Sequence, residues 1–360
     1  MGVFSSVDRI GHTHVLFGAD DASGLRAIIA IHSTALGPAL GGTRFFPYAS
    51  DEDALRDVLR LSRGMTLKNA AAGLDLGGGK AVIIGDPHKL KSERLLRAYG
   101  RFVNSLHGLY VTAEDVGTTT DDMAIIGRET KWVAGQARWD GGSGDPSPST
   151  ALGLFSSLQA VAEHLWGSPD LQGKRIAVQG VGKVGHAYVQ LLTGAGANVF
   201  VADMWQPAVD RAVQDFGATQ VGPDEILTLD VDIISPCAMG AVLTEDTIPT
   251  LKCLAVVGSA NNQLGEDKDA DRLADRGILY APDFVVNAGG VINVAEELRG
   301  YRDDRAEAHV RALQIRTKEI LATAAERGIN PHQAAVDMAM ERIESIGDLR
   351  RIRRDGNDRN

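Results

Sequence analysis

The chain is poor in cysteine, with 2 in 360 residues, Cys237 and Cys253. They lack metal-type spacing and cannot build a disulfide framework, so a reducing, cytoplasmic setting is expected. No apolar run approaches the roughly 20 residues that cross a bilayer, and no signal-peptide pattern opens the sequence, so no membrane association is expected. The first six residues, Met1-Gly-Val-Phe-Ser-Ser6, fit the short myristoylation pattern, but no basic cluster follows to supply a second anchor. Positive charge is scarce as well. The chain has 37 Lys and Arg against 47 Asp and Glu, a net charge of −10. That balance argues against broad nucleic-acid binding and for plain solubility. Arg350, Arg351, Arg353 and Arg354 then read as a solvated or interface tail. The histidines show no ligand pattern, so no metal is expected.

What is present is ordinary globular material, 44% hydrophobic and 23% charged. The length implies two domains. Leu25–His32 reads as an aliphatic strand, followed by the glycine-rich loop Gly37–Arg44. Ser50 reads as an N-cap with Asp51, Glu52 and Asp53 behind it. The helix it starts carries Leu55, Val58, Leu59, Ser62 and Met65 on one face. It is expected to end near Gly64–Met65, with Lys68 just past it. A second amphipathic helix is expected over Ser92–Leu106, and a short strand over Tyr110–Thr112 that delivers Asp115. Asp140–Ser149 is the one linker-like stretch, and a helix is expected from Thr150 to Trp166 with Ser149 as cap. Domains are therefore expected over 1–147 and 148–330, with 331–360 completing the first. Beyond 149 strands and helices alternate regularly, which implies a parallel sheet covered on both faces. Two long helices are expected after Asp303, the last packing on the first domain.

Two motifs carry chemistry. Gly180-Val181-Gly182-Lys183-Val184-Gly185 is a Gly-x-Gly-x-x-Gly that follows the strand Ile176–Gln179 and opens a helix. In that context it marks a dinucleotide pyrophosphate site. Asp203 closes the next strand roughly 20 residues on, where an acid binds ribose hydroxyls. With no arginine adjacent, NAD is expected rather than NADP. The other motif is Leu74-Asp-Leu-Gly-Gly-Gly-Lys80, read as a glycine loop leading into the buried strand Ala81–Ile84. A lysine held in a partly dry pocket can act as a base near neutral pH.

Together these blocks resemble the glutamate/leucine/phenylalanine/valine dehydrogenase family, most nearly its leucine and valine branch. Further matching blocks are Met65-Thr-Leu-Lys68, Thr112-Ala-Glu-Asp115-Val-Gly, Pro236–Gly240, Gly258–Asn262 and Asn287-Ala-Gly-Gly290. The resemblance implies a two-domain α/β fold: an N-terminal substrate domain, a Rossmann-type doubly wound parallel sheet for NAD, and C-terminal helices. It implies reversible oxidative deamination of an L-amino acid to a 2-oxo acid and ammonia, in a homo-oligomer. By resemblance Lys80 is the catalytic base and Asp115 exchanges protons with the substrate nitrogen. Lys68 would grip the substrate carboxylate, helped by the N–H groups of Gly77 and Gly78, and two close lysines would depress each other's pKa. Asn262 would lie near the substrate amino group, Thr150 and Asn287 beside the nicotinamide. Where the glutamate branch carries a lysine for the distal carboxylate, this chain has Leu40. With Ala113, Val291 and Val294 it reads as an aliphatic pocket, which implies branched-chain substrates, leucine, valine or isoleucine. Phenylalanine as substrate, or an NAD-binding sensor without catalysis, are the alternatives.

Overall fold

The computed structural model describes residues 11–349. The myristoylation pattern and the arginine tail lie outside them. Among the described residues one compact unit runs to Gly144 and takes in the chain again from Asp337, and the other is Asp145–Val336. No helix among the described residues is long and apolar enough to cross a membrane.

The first unit is built on five strands: β1 (His14–Asp20), β2 (Leu25–Ser33), β3 (Ala39–Phe46), β4 (Gly77–Ile84) and β5 (Tyr110–Glu114). Their order across the sheet is β1-β2-β4-β3-β5. β2 runs antiparallel to β1 and β4, whereas β3 is parallel to β4 and β5. Side chains alternate across the sheet, and both faces are covered. Ala27, Ile29 and Ile31 pack with Leu95, Tyr99 and Val103 of one helix (Glu93–Asn104), whereas Ile28 and Ala30 pack with Ala54, Val58 and Leu59 of another (Asp51–Ala71). That is why β2 reads as an unbroken apolar run.

Helix α1 (Asp51–Ala71) starts as expected, with Ser50 Oγ accepting from the Asp53 N–H at 3.1 Å. It does not stop at Gly64–Met65, so Lys68 lies in its last turn. A mid-helix glycine costs about 1 kcal/mol, and here the buried Thr66, Asn69 and Ala70 beyond it outweigh that cost. Of the two expected glycine loops, Gly37–Arg44 is strand from Ala39 on, in β3, and Gly77–Gly79 is strand in β4. Glycine is needed at Gly78 because α1 lies directly on β4: a Cβ there would stand 2.1 Å from both the nitrogen and Oγ1 of Thr66. At Gly41 it would stand 1.8 Å from the Gly79 carbonyl oxygen. Asn69 Nδ2 secures the same contact, donating to the Gly77 carbonyl at 2.6 Å.

The second unit carries a six-stranded sheet of β6 (Arg175–Gln179), β7 (Asn198–Ala202), β8 (Thr219–Gln220), β9 (Ile233–Pro236), β10 (Ala255–Val256) and β11 (Leu279–Tyr280). All pairings are parallel, in the order β11-β10-β9-β6-β7-β8. This is the doubly wound arrangement, with its switch point between β6 and β9, where such sheets bind ligands. The helix over Ser147–Trp166 begins earlier than expected. Ser149 does not cap it; Asp145 Oδ1 accepts the Ser147 N–H at 2.9 Å, and the prolines at 146 and 148 suit a first turn.

From Asp303 on, the described residues form three helices, not two: Asp303–Arg311, Leu313–Arg327 and Pro331–Leu349. The first break is the single residue Ala312 at helical angles (φ −62°, ψ −12°), which neither proline nor glycine announces. The last helix buries Ala339 against Leu36 and Ala70 of the first unit, and Arg342 Nη2 donates to Asp75 Oδ1 at 2.7 Å.

Replacing Gly78 with alanine forces α1 off β4. The Gly78→Ala protein is expected to lose about 3 kcal/mol of stability, read as a lowered midpoint in thermal or denaturant unfolding.

Candidate active site

In the first unit the glycine block places Lys80 inside β4, opposite Ala30 of β2, where it is 5% exposed. Burying an ammonium there requires an anion. The anion is Asp115, just beyond the end of β5, whose Oδ2 accepts from Lys80 Nζ. A group in contact with Lys80 is thus a carboxylate of opposite sign. The other oxygen, Oδ1, accepts from Arg44 Nε at 3.0 Å and from the Val116 N–H at 2.8 Å. Burial alone would raise the Asp115 pKa, but the cations of Lys80 and Arg44 outweigh it and hold the carboxyl at about 2.

Arg44 carries the network outward. Its Nη1 donates to Asp57 Oδ2 at 2.8 Å. The Tyr48 hydroxyl donates to the same oxygen at 2.7 Å, and Arg60 Nη2 donates to Asp57 Oδ1 at 3.1 Å. Burial would raise the Asp57 pKa, yet these donors leave it lowered. Arg44 was visible in sequence only as the end of a glycine-rich block. The β-strand register that aims it at Asp115 was not.

The other expected first-unit residues fall as follows. Lys68 is half-buried in the last turn of α1. Leu40 is 1% exposed and pairs with Gly78 across β3 and β4, and Ala113 is 8% exposed near the end of β5. Gly77 needs a correction. Its N–H donates to the Pro38 carbonyl at 2.9 Å, because β4 already begins there, so it is not available to a substrate carboxylate.

In the second unit the glycine motif forms the turn from β6 into the helix Lys183–Gly194. Gly180 takes φ +96°, and a Cβ on Gly185 would lie 2.0 Å from the Gly180 carbonyl, so the motif sets close helix–strand packing. Val181 is buried, and Val184 packs at the edge of the unit's core. Gly182 is the N-cap, no side chain caps the helix, and the space around Gly182 is open. Such a terminus fits a pyrophosphate. Lys183 Nζ pairs with Asp145 Oδ2 at 3.1 Å. Asp203 stands beyond β7, where Oδ2 accepts the Val181 N–H at 2.8 Å and Oδ1 the Trp205 N–H at 2.9 Å. Each oxygen keeps a lone pair for a further donor.

A second cluster of that unit lies after β10. Asn262 takes φ +54°, a left-handed conformation that asparagine tolerates. The buried Gln263 holds this turn: its Nε2 donates to the carbonyls of Gly258 at 2.7 Å and Ala260 at 3.0 Å, and its N–H donates to Asp283 Oδ2 at 3.0 Å. Asn287 Nδ2 donates to the Ser259 carbonyl and to Asn261 Oδ1, while its Oδ1 is buried with no partner among the described residues. That aligned acceptor fits an amide-bearing ligand. Thr150 abuts Gly290, and Val291 and Val294 follow on the short helix Gly289–Ala295. Gln263 and Asp283 escaped the sequence reading; a glutamine directly after a Gly/Asn-rich turn was the only signal.

Known proteins give the same grouping. Residues 11–132 match the family description "Glu/Leu/Phe/Val dehydrogenase, dimerisation domain". Residues 141–204 and 206–350 match "Glutamate/Leucine/Phenylalanine/Valine dehydrogenase". The chain is 50% identical over 346 residues to leucine dehydrogenase of Bacillus subtilis (strain 168), covering 96% of this chain and 95% of that protein. It is 53% identical over 339 residues to valine dehydrogenase of Streptomyces virginiae, covering 93% and 95%. Among solved structures, L-tryptophan dehydrogenase from Nostoc punctiforme superposes with a TM-score of 0.84 at 44% identity, over 96% of this chain and 99% of that one. Hetero-hexameric glutamate dehydrogenase from Thermus thermophilus shares the fold, with a TM-score of 0.79 at 24% identity, over 97% and 95%. With both segments matched and half of the residues shared along nearly its full length, the chain belongs to the Glu/Leu/Phe/Val dehydrogenase family.

Proposed function

We propose that this protein is an NAD-dependent dehydrogenase of branched-chain L-amino acids, converting leucine, valine or isoleucine reversibly to the 2-oxo acid and ammonia. The observation that carries the chemistry is the buried Lys80–Asp115 pair. A scaffold or sensor gains nothing from an ammonium buried to 5% exposure in a sheet. The half-identical leucine and valine dehydrogenases support the substrate class.

In this reading the first unit holds substrate, and Lys68 grips its carboxylate together with the backbone at Gly78. Asp115 takes a proton from the substrate ammonium, which frees the nitrogen lone pair for imine formation. Lys80, in its free-amine form and not as the ammonium, takes a proton from the water that attacks the imino carbon. The second unit holds NAD: the Gly180–Gly185 turn takes the pyrophosphate, Asp203 the ribose hydroxyls, and Thr150 and Asn287 the carboxamide end. The nicotinamide supplies the hydride acceptor. Asn262 stands for the substrate amino group. Leu40 and Ala113 of the first unit, and Val291 and Val294 of the second, each offer aliphatic surface and no partner for a second carboxylate. Self-association through the segment described as a dimerisation domain, and a cytoplasmic setting, complete the reading.

One other reading has an observation behind it. The tryptophan dehydrogenase shares 44% of its residues and the fold, which favours an aromatic substrate. A panel of leucine, valine, isoleucine, phenylalanine, tryptophan and glutamate, each with NAD and NADP, decides. The highest kcat/KM is expected on a branched aliphatic substrate with NAD, and preference for an aromatic substrate refutes the assignment. Changing Lys80 to alanine should lower kcat by about 10³-fold while NADH still binds, as followed by fluorescence titration.

A pH profile gives a further check. Because Asp115 titrates at about 2, it stays a carboxylate as pH falls through 6 and 5. The acid limb of kcat/KM, which reports the free enzyme, should therefore contain no Asp115 titration above about pH 4. The Asp115→Asn enzyme should be slower at every pH rather than shifted along the axis.

A further inference from the structure

The two oxygens of Asp115 have different surroundings. Oδ2 faces Lys80 Nζ alone among the described donors. Oδ1 is held twice, by Arg44 Nε at 3.0 Å and by the Val116 N–H at 2.8 Å. Arg44 cannot swing away, because Nη1 is bound to Asp57 at 2.8 Å, and Asp57 is itself held by Tyr48 and Arg60. The guanidinium therefore spans two carboxylates with fixed fork geometry, which a lysine cannot do with one nitrogen. The Arg44, Asp57 and Asp115 side chains are 23%, 17% and 19% exposed, so solvent screens them only partly.

We propose that Arg44 is a positioning residue that fixes the Asp115 carboxylate by Oδ1 and so leaves Oδ2 as the oxygen that exchanges protons, with Asp57 as the anchor of the arginine. The inference rests on the role given to Asp115 above. A carboxylate free to turn about its χ2 would present either oxygen, and Lys80 would lose an aligned partner. The charged groups around Asp115 are Lys80 from β4, Arg44 from β3, and, one step further, Asp57 and Arg60 from α1. Removing the Arg44 cation takes away one of the two charges that favour the carboxylate, so the Asp115 titration moves to higher pH.

The test uses Arg44→Lys, Arg44→Gln and Asp57→Asn in the full-length enzyme, with Tm and NADH binding as fold controls. The arginine variants are expected to lose about 10- to 100-fold in kcat, the scale of a misplaced catalytic group. KM should change by no more than a few-fold, and an Asp115 titration absent from the wild-type acid limb should enter the profile from lower pH. Arg44→Lys keeps the charge and loses the fork, so it should lose kcat with the smaller pH shift. Asp57→Asn should lower kcat in the same way but less strongly and without the upward titration shift, since it removes an anion, and the double variant Arg44→Lys/Asp57→Asn should be less than additive in kcat. Wild-type kcat in both Arg44→Lys and Arg44→Gln overturns the inference. If neither arginine variant folds, Asp57→Asn decides, and wild-type kcat there overturns it. Should the wild type turn over no amino acid, the functional reading itself has failed. The Asp115 carboxyl band, taken as an infrared difference from Asp115→Asn, then still reports: an upward shift in Arg44→Gln supports positioning and an unmoved band refutes it.

Discussion

An ammonium inside a β-sheet must be answered by an anion, and that anion must be answered in turn. Lys80 begins such a series. Asp115 meets Lys80, Arg44 meets Asp115, Asp57 meets Arg44, and Arg60 meets Asp57. The signs alternate at every step. Side-chain exposure runs from 6% at Lys80 to 57% at Arg60, so the series starts in the core and ends in water. The desolvation cost of each ion, several kcal/mol if uncompensated, is spread over neighbours. The rest of the first unit makes this possible: α1 supplies Asp57 and Arg60, β3 supplies Arg44, and the glycines let helix and strands approach closely enough to join them.

The second unit works by a different means. Its ligand-facing turns are held by amides and carbonyls more than by ion pairs. Gln263 binds two carbonyls of its own turn, Asp283 accepts from the Gln263 and Phe284 N–H groups, and Asn287 bridges Ser259 and Asn261. Such bonds are worth roughly 1 kcal/mol each but are costly to leave unmade. They fix the shape of these turns with few ion pairs. The Asp203 carboxylate likewise accepts the Val181 N–H of the glycine turn and the Trp205 N–H just past its own strand.

Much of this was legible in the residues. The Gly180–Gly185 turn was readable because its context, strand before and helix after, is local. The Ser50 cap was readable for the same reason. Failures came where long-range packing overrode local preference. Gly37–Arg44 and Gly77–Gly79 look like loops by composition, but from Ala39 on the first is strand, as is the second, and their missing side chains make room for α1 and for each other. Gly64 looked like a helix end, yet burial of Thr66 and Asn69 carries the helix through it. Gly77 looked like a donor to a ligand, but sheet pairing had already claimed its N–H. Arg44 and Gln263 act through partners 13 to 71 positions away or through backbone carbonyls, which no spacing rule reveals.

The helix Pro331–Leu349 crosses the division of the molecule, since its residues from Asp337 on belong with the first unit. The N-terminal half is therefore not contiguous in the chain. During synthesis the apolar surface at Leu36 and Ala70 stays uncovered until Ala339 and its neighbours leave the ribosome. The intervening unit, Asp145–Val336, is made whole before that moment. The half that is translated first is thus the half that is completed last.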